Sequence, residues 1–363
     1  MARQLQFDKV LFGVVVGLVL FGALMVFSAS AVVASEKYGS SYYFLWRQLA
    51  WAAAGFAALA VTMQLDYRRL GRPLVVFPAL ALEFLLLVVV LFTDRSHHTH
   101  RWFHLGPLSV QPSELAKILI TLFLAFFLST RKGQVNDWKH TLSPIILVAG
   151  VMGMLILAEP DFGTTLSLGL VVAAMLFAAG LQLRYYALAG VGAAPVLYFL
   201  VFHSAYRYNR WVAFLNPYAD PLGKGFQILQ SYIAVGTGGI TGLGLMEGKQ
   251  KLFFLPEPQT DFIFAVTGEE LGILGALAVV AAFAVILVRG LRASAGCSEE
   301  FGRLLAIGLT VMIVGQALVN MSVVLGLLPT KGIPLPFVSY GGSSLLVNLL
   351  AVGILLNISQ HAS

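Results

Sequence analysis

The sequence contains few charged residues and a single cysteine. Charged residues make up 11% of its 363 residues, against about 25% in an ordinary soluble domain. Hydrophobic residues make up 58%. So apolar a chain cannot be covered with polar surface, and we expect a membrane protein. The lone Cys297 excludes an intrachain disulfide.

Long apolar runs recur along the whole chain. A run of about 20 apolar residues is long enough to cross a hydrocarbon core of about 30 Å as a helix. The first run is too long for the apolar part of a signal peptide, so we interpret it as a retained helix. The predicted fold is an all-α polytopic membrane protein, one domain over residues 1–363. The ten predicted spans cover approximately residues 10–33, 44–64, 74–93, 114–130, 142–158, 163–181, 185–203, 262–288, 303–328 and 339–358.

The distribution of lysine and arginine predicts the orientation in the membrane. If the N-terminus is cytoplasmic, the short inside segments hold twelve basic residues and the short outside connections hold four. This bias follows the positive-inside rule and favours cytoplasmic positions for both termini. The net charge of +6 is then a consequence of topology. Because the basic residues form no single patch, nucleic acid is not an expected partner.

One large polar loop, about residues 204–260, separates the seventh and eighth spans. In this orientation the loop lies outside the cytoplasm, whereas Cys297 lies inside, which excludes a thiol mechanism on the outer face. The loop ends at Asp261, a carboxylate at the membrane surface, where chemistry is expected.

Two segments of the loop carry structural signals of their own. Residues 225–236 mix apolar and polar positions in a way that predicts a short amphipathic helix at the membrane surface. The glycines from Gly236 to Gly244 permit tight turns or a close approach of the backbone to a ligand.

Several ionisable residues stand where apolar ones would be less costly. Glu114 and Lys117 are three residues apart at the start of the fourth span, where Ser113 is a candidate N-cap. The two charges either pair as a structural clamp or line a polar cavity. Arg47 enters the second span from outside and either snorkels to headgroups or binds an anionic ligand. Glu270 lies inside the eighth span, so we expect it to border a hydrated cavity or to pair with a basic group.

Two outer connections carry closely spaced polar groups. Glu159 and Asp161 flank a proline in a tight turn, and two carboxylates are too few for a divalent-ion site, which favours helix capping by Asp161. Four histidines between residues 97 and 104 match no zinc-site spacing and indicate a solvated loop.

The last outer connection, residues 328–344, contains three prolines and a small polar patch at the entrance of the tenth span. Ser339, Ser343 and exposed main-chain amides there could bind an anion at a helix N-terminus.

Short polar motifs follow one another along most of the chain: Ser28-Ala-Ser30, Arg47-Gln48, Gln111-Pro-Ser-Glu114-x-x-Lys117, Glu159-Pro-Asp-x-Gly163-Thr164, Arg210-Trp211, Leu255-Pro-Glu257-x-x-Thr260-Asp261, Glu269-Glu270-Leu-Gly272, Pro334-Leu-Pro336 and Ser339-Tyr-Gly-Gly-Ser-Ser344. Taken in order, these motifs resemble the SEDS family of bacterial cell-wall proteins, the RodA and FtsW group. The segments from Met25 to Ser30 and from Leu328 to Gly332 look more like the division branch than the elongation branch.

The resemblance implies a peptidoglycan glycosyltransferase that polymerises lipid II at the outer face of the bacterial cytoplasmic membrane, in division or elongation. The essential aspartate of the family corresponds to Asp261. Gln259 receives no catalytic role, because many members differ there. The candidate substrate-binding or cavity residues are Arg47, Glu114, Lys117, Arg210, Lys251, Glu257, Glu270, Lys331, Ser339 and Ser343.

The reaction suits this composition. The 4-hydroxyl of the acceptor sugar loses a proton as it attacks C1 of a sugar linked to a lipid pyrophosphate, and Asp261 is a candidate general base or ligand of a divalent cation, Mg²⁺ or Mn²⁺. Arg210, Lys251, Arg47 or the metal could stabilise the leaving pyrophosphate. The lipid tail of the substrate requires a groove between helices that faces the membrane lipids.

The resemblance further implies a class B penicillin-binding protein as partner. The competing hypothesis is a lipid II flippase, in which Glu114, Lys117 and Glu270 line a path for the headgroup through the membrane.

Overall fold

The computed structural model describes residues 7–93, 101–105 and 108–361. In that part of the chain the architecture is a bundle of long helices with one two-stranded ribbon. The helices are α1 (Lys9–Tyr38), α2 (Tyr43–Gln64), α3 (Pro73–Thr93), α4 (Pro112–Ser129), α5 (Ser143–Ala158), α6 (Phe162–Ala178), α7 (Leu183–Phe202), α8 (Ala205–Leu215), α9 (Phe226–Thr237), α10 (Ile263–Ala295), α11 (Glu300–Val324) and α12 (Gly342–His361), and the antiparallel strands are β1 (Phe103–Leu105) and β2 (Leu108–Val110).

The ten predicted spans coincide with α1 to α7 and α10 to α12, which confirms the polytopic all-α fold. Within the described residues, eight helical segments are long and apolar enough to cross a membrane: α1 to α4, the 21-residue segment Trp138–Ala158 that ends with α5, and α10 to α12. α6 is shorter, with 17 residues, and α7 has 20. α8 and α9 belong to the large loop between α7 and α10.

The centre of the bundle consists of α4, α11 and α12. Most residues of these three helices are buried, whereas α2, α3 and α5 expose wide apolar faces. α11 packs against α4, α6 and α10, and α12 lies along α2. An apolar exterior combined with a buried polar interior is the expected arrangement for a chain whose solvent is lipid.

α9 confirms the helix predicted near residues 225–236, but it does not lie free on a surface. It packs against α10 and buries Ile228, Ser231 and Ala234. The Ser231 hydroxyl donates to the main-chain oxygen of Val324 at 2.7 Å. This contact fastens the large loop to the end of α11.

The glycine run that follows α9 lies against a break in α10. Gly272 has φ 65° and ψ −164°, so its neighbours lose regular helical partners. The loop supplies replacements: the Leu243 amide donates to the Glu269 carbonyl and the Gly244 amide to that of Glu270, each at 3.0 Å. Glycine is required at 242 because a Cβ there would lie 2.1 Å from the Glu270 carbonyl oxygen.

The prediction that Ser113 caps α4 is wrong. The helix begins at Pro112, and Gln111 is its N-cap residue. Proline fits the first helical position, which starts the helix two residues earlier than expected. The Ser113 hydroxyl instead accepts a hydrogen bond from Gln111 Nε2 at 2.9 Å.

Candidate active site

A cavity of about 990 Å³ opens where α6, α7, α8 and the connection between α11 and α12 meet. One carboxylate that the sequence singled out, Asp261, lies in its wall. The lining residues are Arg101, Pro160 to Gly163, Leu166, Tyr198, Val201, Phe202, Ser204, Arg207, Arg210, Trp211, Asp261 and Leu328 to Gly332. The cavity therefore combines acidic, cationic and apolar walls.

Asp261 is held by its main chain. It lies two residues before the start of α10, and its carbonyl oxygen accepts a hydrogen bond from Asn320 Nδ2 at 2.9 Å. The same amide donates to the Ile333 carbonyl at 2.7 Å. Gly332 packs on the carboxylate, since a Cβ at that position would lie 2.9 Å from Asp261 Oδ2. α11 and the loop that follows it thus fix the position of this carboxylate.

The environment of Asp261 disfavours its charged form. Burial, and to a smaller extent the carboxylate of Glu257, raise the pKa of Asp261, while Arg210 lowers it; the net result is a pKa of about 7. A carboxyl group with a pKa near neutrality can accept a proton and release it again under physiological conditions. The site therefore provides a group suited to general base catalysis.

Basic side chains surround this carboxylate. Arg207 and Arg210 project from α8 with the spacing of one helical turn, which places both on the face that lines the cavity. Arg210 Nη1 donates to the main-chain oxygen of Thr330 at 3.1 Å. Lys331 Nζ lies 3.6 Å from the centroid of the Phe162 ring. Burial, with a smaller contribution from Arg210, lowers the pKa of Lys331 to about 8.

Arg101 is a further cation in the wall of the cavity. Its Nε donates to the Glu159 carbonyl at 2.7 Å, and its Nη2 donates to the Pro160 carbonyl. Asp161 beside it confirms the predicted cap of α6: its carboxylate accepts from the Thr164 amide at 3.0 Å and from Gln111 Nε2 at 2.9 Å. The turn at residues 159–161 is therefore held from both sides.

The structure brings three of the predicted site residues together in the cavity, Asp261, Arg210 and Lys331. Lys251 and Glu270 lie elsewhere, as a buried ion pair with Nζ and Oε1 2.6 Å apart. Ser28 joins them, because its hydroxyl donates to Glu270 at 2.7 Å and lies 3.0 Å from Lys251 Nζ. This pair fastens the large loop to α1 and α10.

Glu114 and Lys117 form the predicted ion pair on α4, 2.9 Å apart and buried. Lys117 Nζ also donates to Gln316 Oε1 at 2.6 Å, and Gln316 Nε2 donates to the Pro334 carbonyl at 2.8 Å. The pair therefore supports the loop after α11 from within the bundle, and it does not line the cavity.

The remaining predicted residues lie around the cavity and not in its wall. Glu257 is exposed and accepts from Gln259 Nε2 at 3.0 Å. The Arg47 guanidinium lies 4.9 Å from the centre of the Tyr43 ring. Ser339 accepts from the Leu335 amide at 2.8 Å.

Ser343 links the α12 entrance to the segment before α4. Its hydroxyl donates to the Ser109 carbonyl at 2.9 Å and accepts from the Gln111 amide at 3.1 Å. The anion site expected from Ser339 and Ser343 is thus occupied by main-chain contacts to other parts of this chain.

Arg101, Arg207 and Asp161 are cavity residues that the sequence reasoning did not assign to the site. Arg207 could have been found, since it lies three residues before Arg210 on a short polar helix. Arg101 offered no such signal, because its partners are carbonyl groups 58 and 59 residues away. The expected solvated loop at residues 97, 98 and 100 lies outside the described residues.

The donor groups at Asp261 allow a divalent cation only with ligands from elsewhere. Among the residues that the structure describes, no three His, Cys, Asp or Glu side chains form a cluster that could hold a metal. Mg²⁺ commonly binds one or two carboxylates together with water and substrate phosphates. Asp261 fits that role.

Fold and site together define an integral membrane protein with a cavity that combines cationic side chains with the carboxylates of Asp161 and Asp261. The family model described as "Cell cycle protein", covering FtsW, RodA and SpoVE, matches residues 8–363. The chain belongs to this family.

Two curated relatives illustrate the similarity. The chain is 46% identical over 358 residues to "Probable peptidoglycan glycosyltransferase FtsW" of Geobacter sulfurreducens, which covers 98% of this chain and 96% of the relative. It is 40% identical over 352 residues to "Stage V sporulation protein E" of Bacillus subtilis, and this match covers 95% of this chain and 94% of the relative. The chain is therefore FtsW-like, as the sequence resemblance indicated.

Two solved structures share the fold. A chain of the structure described as "Structural coordination of polymerization and crosslinking by a peptidoglycan synthase complex" superposes with a TM-score of 0.80 at 31% identity and covers 98% of both chains. The rod shape determining protein RodA of Thermus thermophilus gives a TM-score of 0.73 at 27% identity and covers 99% of this chain and 98% of its own.

Proposed function

We propose that the cavity around Asp261 is the site at which this chain polymerises lipid II. The chain is a multi-pass peptidoglycan glycosyltransferase of the bacterial cytoplasmic membrane. The observation that carries the assignment of the site is the position of Asp261: a half-buried carboxylate with a pKa of about 7, in a cavity that also contains Arg101, Arg207, Arg210 and Lys331.

Asp261 acts as the general base. The acceptor sugar binds with its 4-hydroxyl near the carboxylate, and the hydroxyl proton passes to an Asp261 oxygen as the hydroxyl oxygen attacks C1 of the donor sugar. The bond from C1 to the pyrophosphate oxygen breaks on the opposite face, so the anomeric configuration inverts. The raised pKa makes Asp261 a stronger base than an exposed aspartate.

The cations stabilise the leaving group. The departing lipid pyrophosphate develops negative charge, and fixed positive charges in a partly buried cavity stabilise it more than water would. Arg207, Arg210 and Lys331 face the cavity from α8 and from the connection after α11. Contacts with the main chain of Thr330 and with the Phe162 ring hold Arg210 and Lys331 in place before the substrate binds.

The apolar part of the wall accommodates the lipid. Leu166 of α6 and Tyr198, Val201 and Phe202 of α7 line the cavity. α7 packs against α8 and leaves much of its surface exposed. A polyprenyl chain can therefore lie between these helices while its headgroup reaches Asp261.

A divalent cation, Mg²⁺ or Mn²⁺, is part of the proposal. Asp261 would hold this cation in place of acting as the base, and the bound cation would then activate the acceptor hydroxyl.

The proposal also includes one domain and a partner. The residues that line the cavity are scattered along the chain between Arg101 and Gly332. The helices that carry them therefore belong to one domain. The similar structure of a peptidoglycan synthase complex supports assembly with a class B penicillin-binding protein that cross-links the new strands.

The experiment is polymerisation of purified lipid II by the full chain with its cognate class B penicillin-binding protein, with and without Mg²⁺ or Mn²⁺. Wild type should give long glycan strands, and Asp261→Asn should give none while it remains folded. If wild type makes no glycan but moves lipid II across vesicle bilayers, the active-site assignment fails and the flippase is favoured.

A further inference from the structure

Two acidic side chains lie buried behind the wall of the cavity, outside the site described above. Glu83 is near the middle of α3, and Glu159 follows the last residue of α5. Glu159 also begins the turn whose next residues, Pro160 and Asp161, line the cavity. Glu83 and Glu159 are both 0% exposed. They interact electrostatically, so the fold brings two groups of the same charge type together.

Neither acid has a partner that would compensate a negative charge. None of the four carboxyl oxygens of Glu83 and Glu159 has a hydrogen-bond partner of normal geometry in the described part of the chain, although the Ser113 hydroxyl lies close enough to Glu159 to favour its charged form. No ion pair formed between described residues includes either group. A carboxylate that is buried and unpaired is so costly that it binds a proton or another cation instead.

The charged groups around the pair do not offset this cost. Asp161 adds a negative charge next to Glu159, whereas Arg101 and the Ser113 hydroxyl favour the charged form of Glu159. Arg101 directs Nε and Nη2 at main-chain carbonyl oxygens. Burial is the largest effect, and it raises the pKa of Glu159 to about 9.

The helix packed on the other side contributes no net charge to the pair. α4 contacts both α3 and α5, and its ionisable groups near this end are Glu114 and Lys117. These two neutralise each other at 2.9 Å. The surroundings therefore favour a bound proton over an additional carboxylate charge.

We propose that Glu83 and Glu159 form a proton-binding site, and that a proton bound there at neutral pH keeps the turn at residues 159–161 packed in the bundle. The position of this turn determines where neighbouring residues of the cavity lie. Asp161 caps α6, and the next residue, Phe162, supports Lys331. The pair thus positions cavity residues without contacting the substrate.

The test is the pH dependence of stability, which does not depend on the activity of the chain. The folded chain binds this proton more tightly than the unfolded chain, so stability falls as pH rises from the ordinary range of a glutamate toward about 9. For one proton the unfolding equilibrium changes about tenfold per pH unit. Thermal unfolding of the detergent-solubilised chain is measured from about pH 6 to about pH 9.

Glutamine resembles the protonated acid in shape and cannot ionise. Glu159→Gln, Glu83→Gln and the double variant should therefore lose Tm less steeply toward alkaline pH than wild type. Glu36→Gln, an exposed acid near the end of α1, is the matched control and should keep the wild-type slope. If the Tm of both Glu83→Gln and Glu159→Gln falls with rising pH as steeply as that of wild type, the proposal is overturned.

Two further outcomes would also overturn it. If both glutamine variants lose stability at every pH while wild-type Tm rises with added Na⁺ or Mg²⁺ at constant ionic strength, the occupant is a metal cation. If Glu159→Gln keeps the wild-type slope but abolishes glycan synthesis, Glu159 takes part in the reaction itself. Difference infrared spectroscopy of wild type gives a readout without substitution: a protonated carboxyl band should persist at about pH 8, and its absence contradicts the proposal.

Discussion

The side-chain amide of Asn320 donates hydrogen bonds to the main-chain oxygens of Asp261, at 2.9 Å, and of Ile333, at 2.7 Å. One residue of α11 therefore joins the entrance of α10 to the loop that carries Lys331 and Gly332. Both segments line the cavity, so the distance between the carboxylate and the cations depends on this amide.

Asn320→Leu should remove both hydrogen bonds and displace Asp261. A misplacement of about 1 Å can cost about a hundredfold in rate, so we expect glycan synthesis to fall by about tenfold to a hundredfold. Strand synthesis from lipid II is compared at saturating substrate. Ser322→Ala, also on α11, is the control, and an equal loss in that variant would contradict a specific role of Asn320.

Asp261→Asn should abolish polymerisation, because the amide cannot accept the proton of the acceptor hydroxyl. A general base contributes about 10² to 10⁴ in rate. Folding should be retained, since burial already disfavours the charged carboxylate. Glu247→Gln removes an exposed acid from the same loop and should keep full activity. Strand length and amount on gels measure both variants.

The pH profile of kcat/KM should be bell-shaped. Activity should rise through about pH 7 as Asp261 loses its proton, and fall above about pH 8 as Lys331 loses its charge. Lys331→Arg keeps the cation at every accessible pH and should extend activity to alkaline pH. If the activity of Lys331→Arg falls at the same alkaline pH as that of wild type, a group other than Lys331 causes the fall.

Arg207→Gln should weaken pyrophosphate recognition. A hydrogen bond to a charged group contributes about 1.5 to 3 kcal/mol, which corresponds to a loss in kcat/KM of about tenfold to a hundredfold. Lys224→Met removes an exposed cation from the same loop and is the matched control. Equal losses in the two variants would indicate a general effect of loop charge and not a contact in the cavity.

Lys251→Met should destabilise the fold by about 3 to 5 kcal/mol, because it leaves the buried carboxylate of Glu270 unpaired. The double variant Lys251→Met with Glu270→Gln removes the uncompensated charge and should recover part of the loss. Unfolding in detergent measures both. Unchanged stability with a raised KM would instead assign Lys251 to substrate binding.

The helices and their caps could be predicted because their signals are local. Apolar length located α1 to α7 and α10 to α12, and the carboxylate of Asp161 caps α6 as expected. The prediction for Ser113 failed because the proline before it starts α4 two residues earlier. Lys251 and Glu270 were recognised as ionisable residues in costly positions, but their pairing across 19 residues depends on the loop that folds against α10.

By itself the sequence determined the number of apolar spans, their orientation and the position of Asp261 at the end of the large outer loop. These features follow from the length of apolar runs and from the placement of basic residues, which are properties of consecutive residues. Only the tertiary structure decided which cations face Asp261. Arg101, Arg207 and Lys331 come from three separate connections and meet because α6, α8 and α11 pack around one cavity. Contacts between distant segments depend on helix packing, which no local pattern encodes.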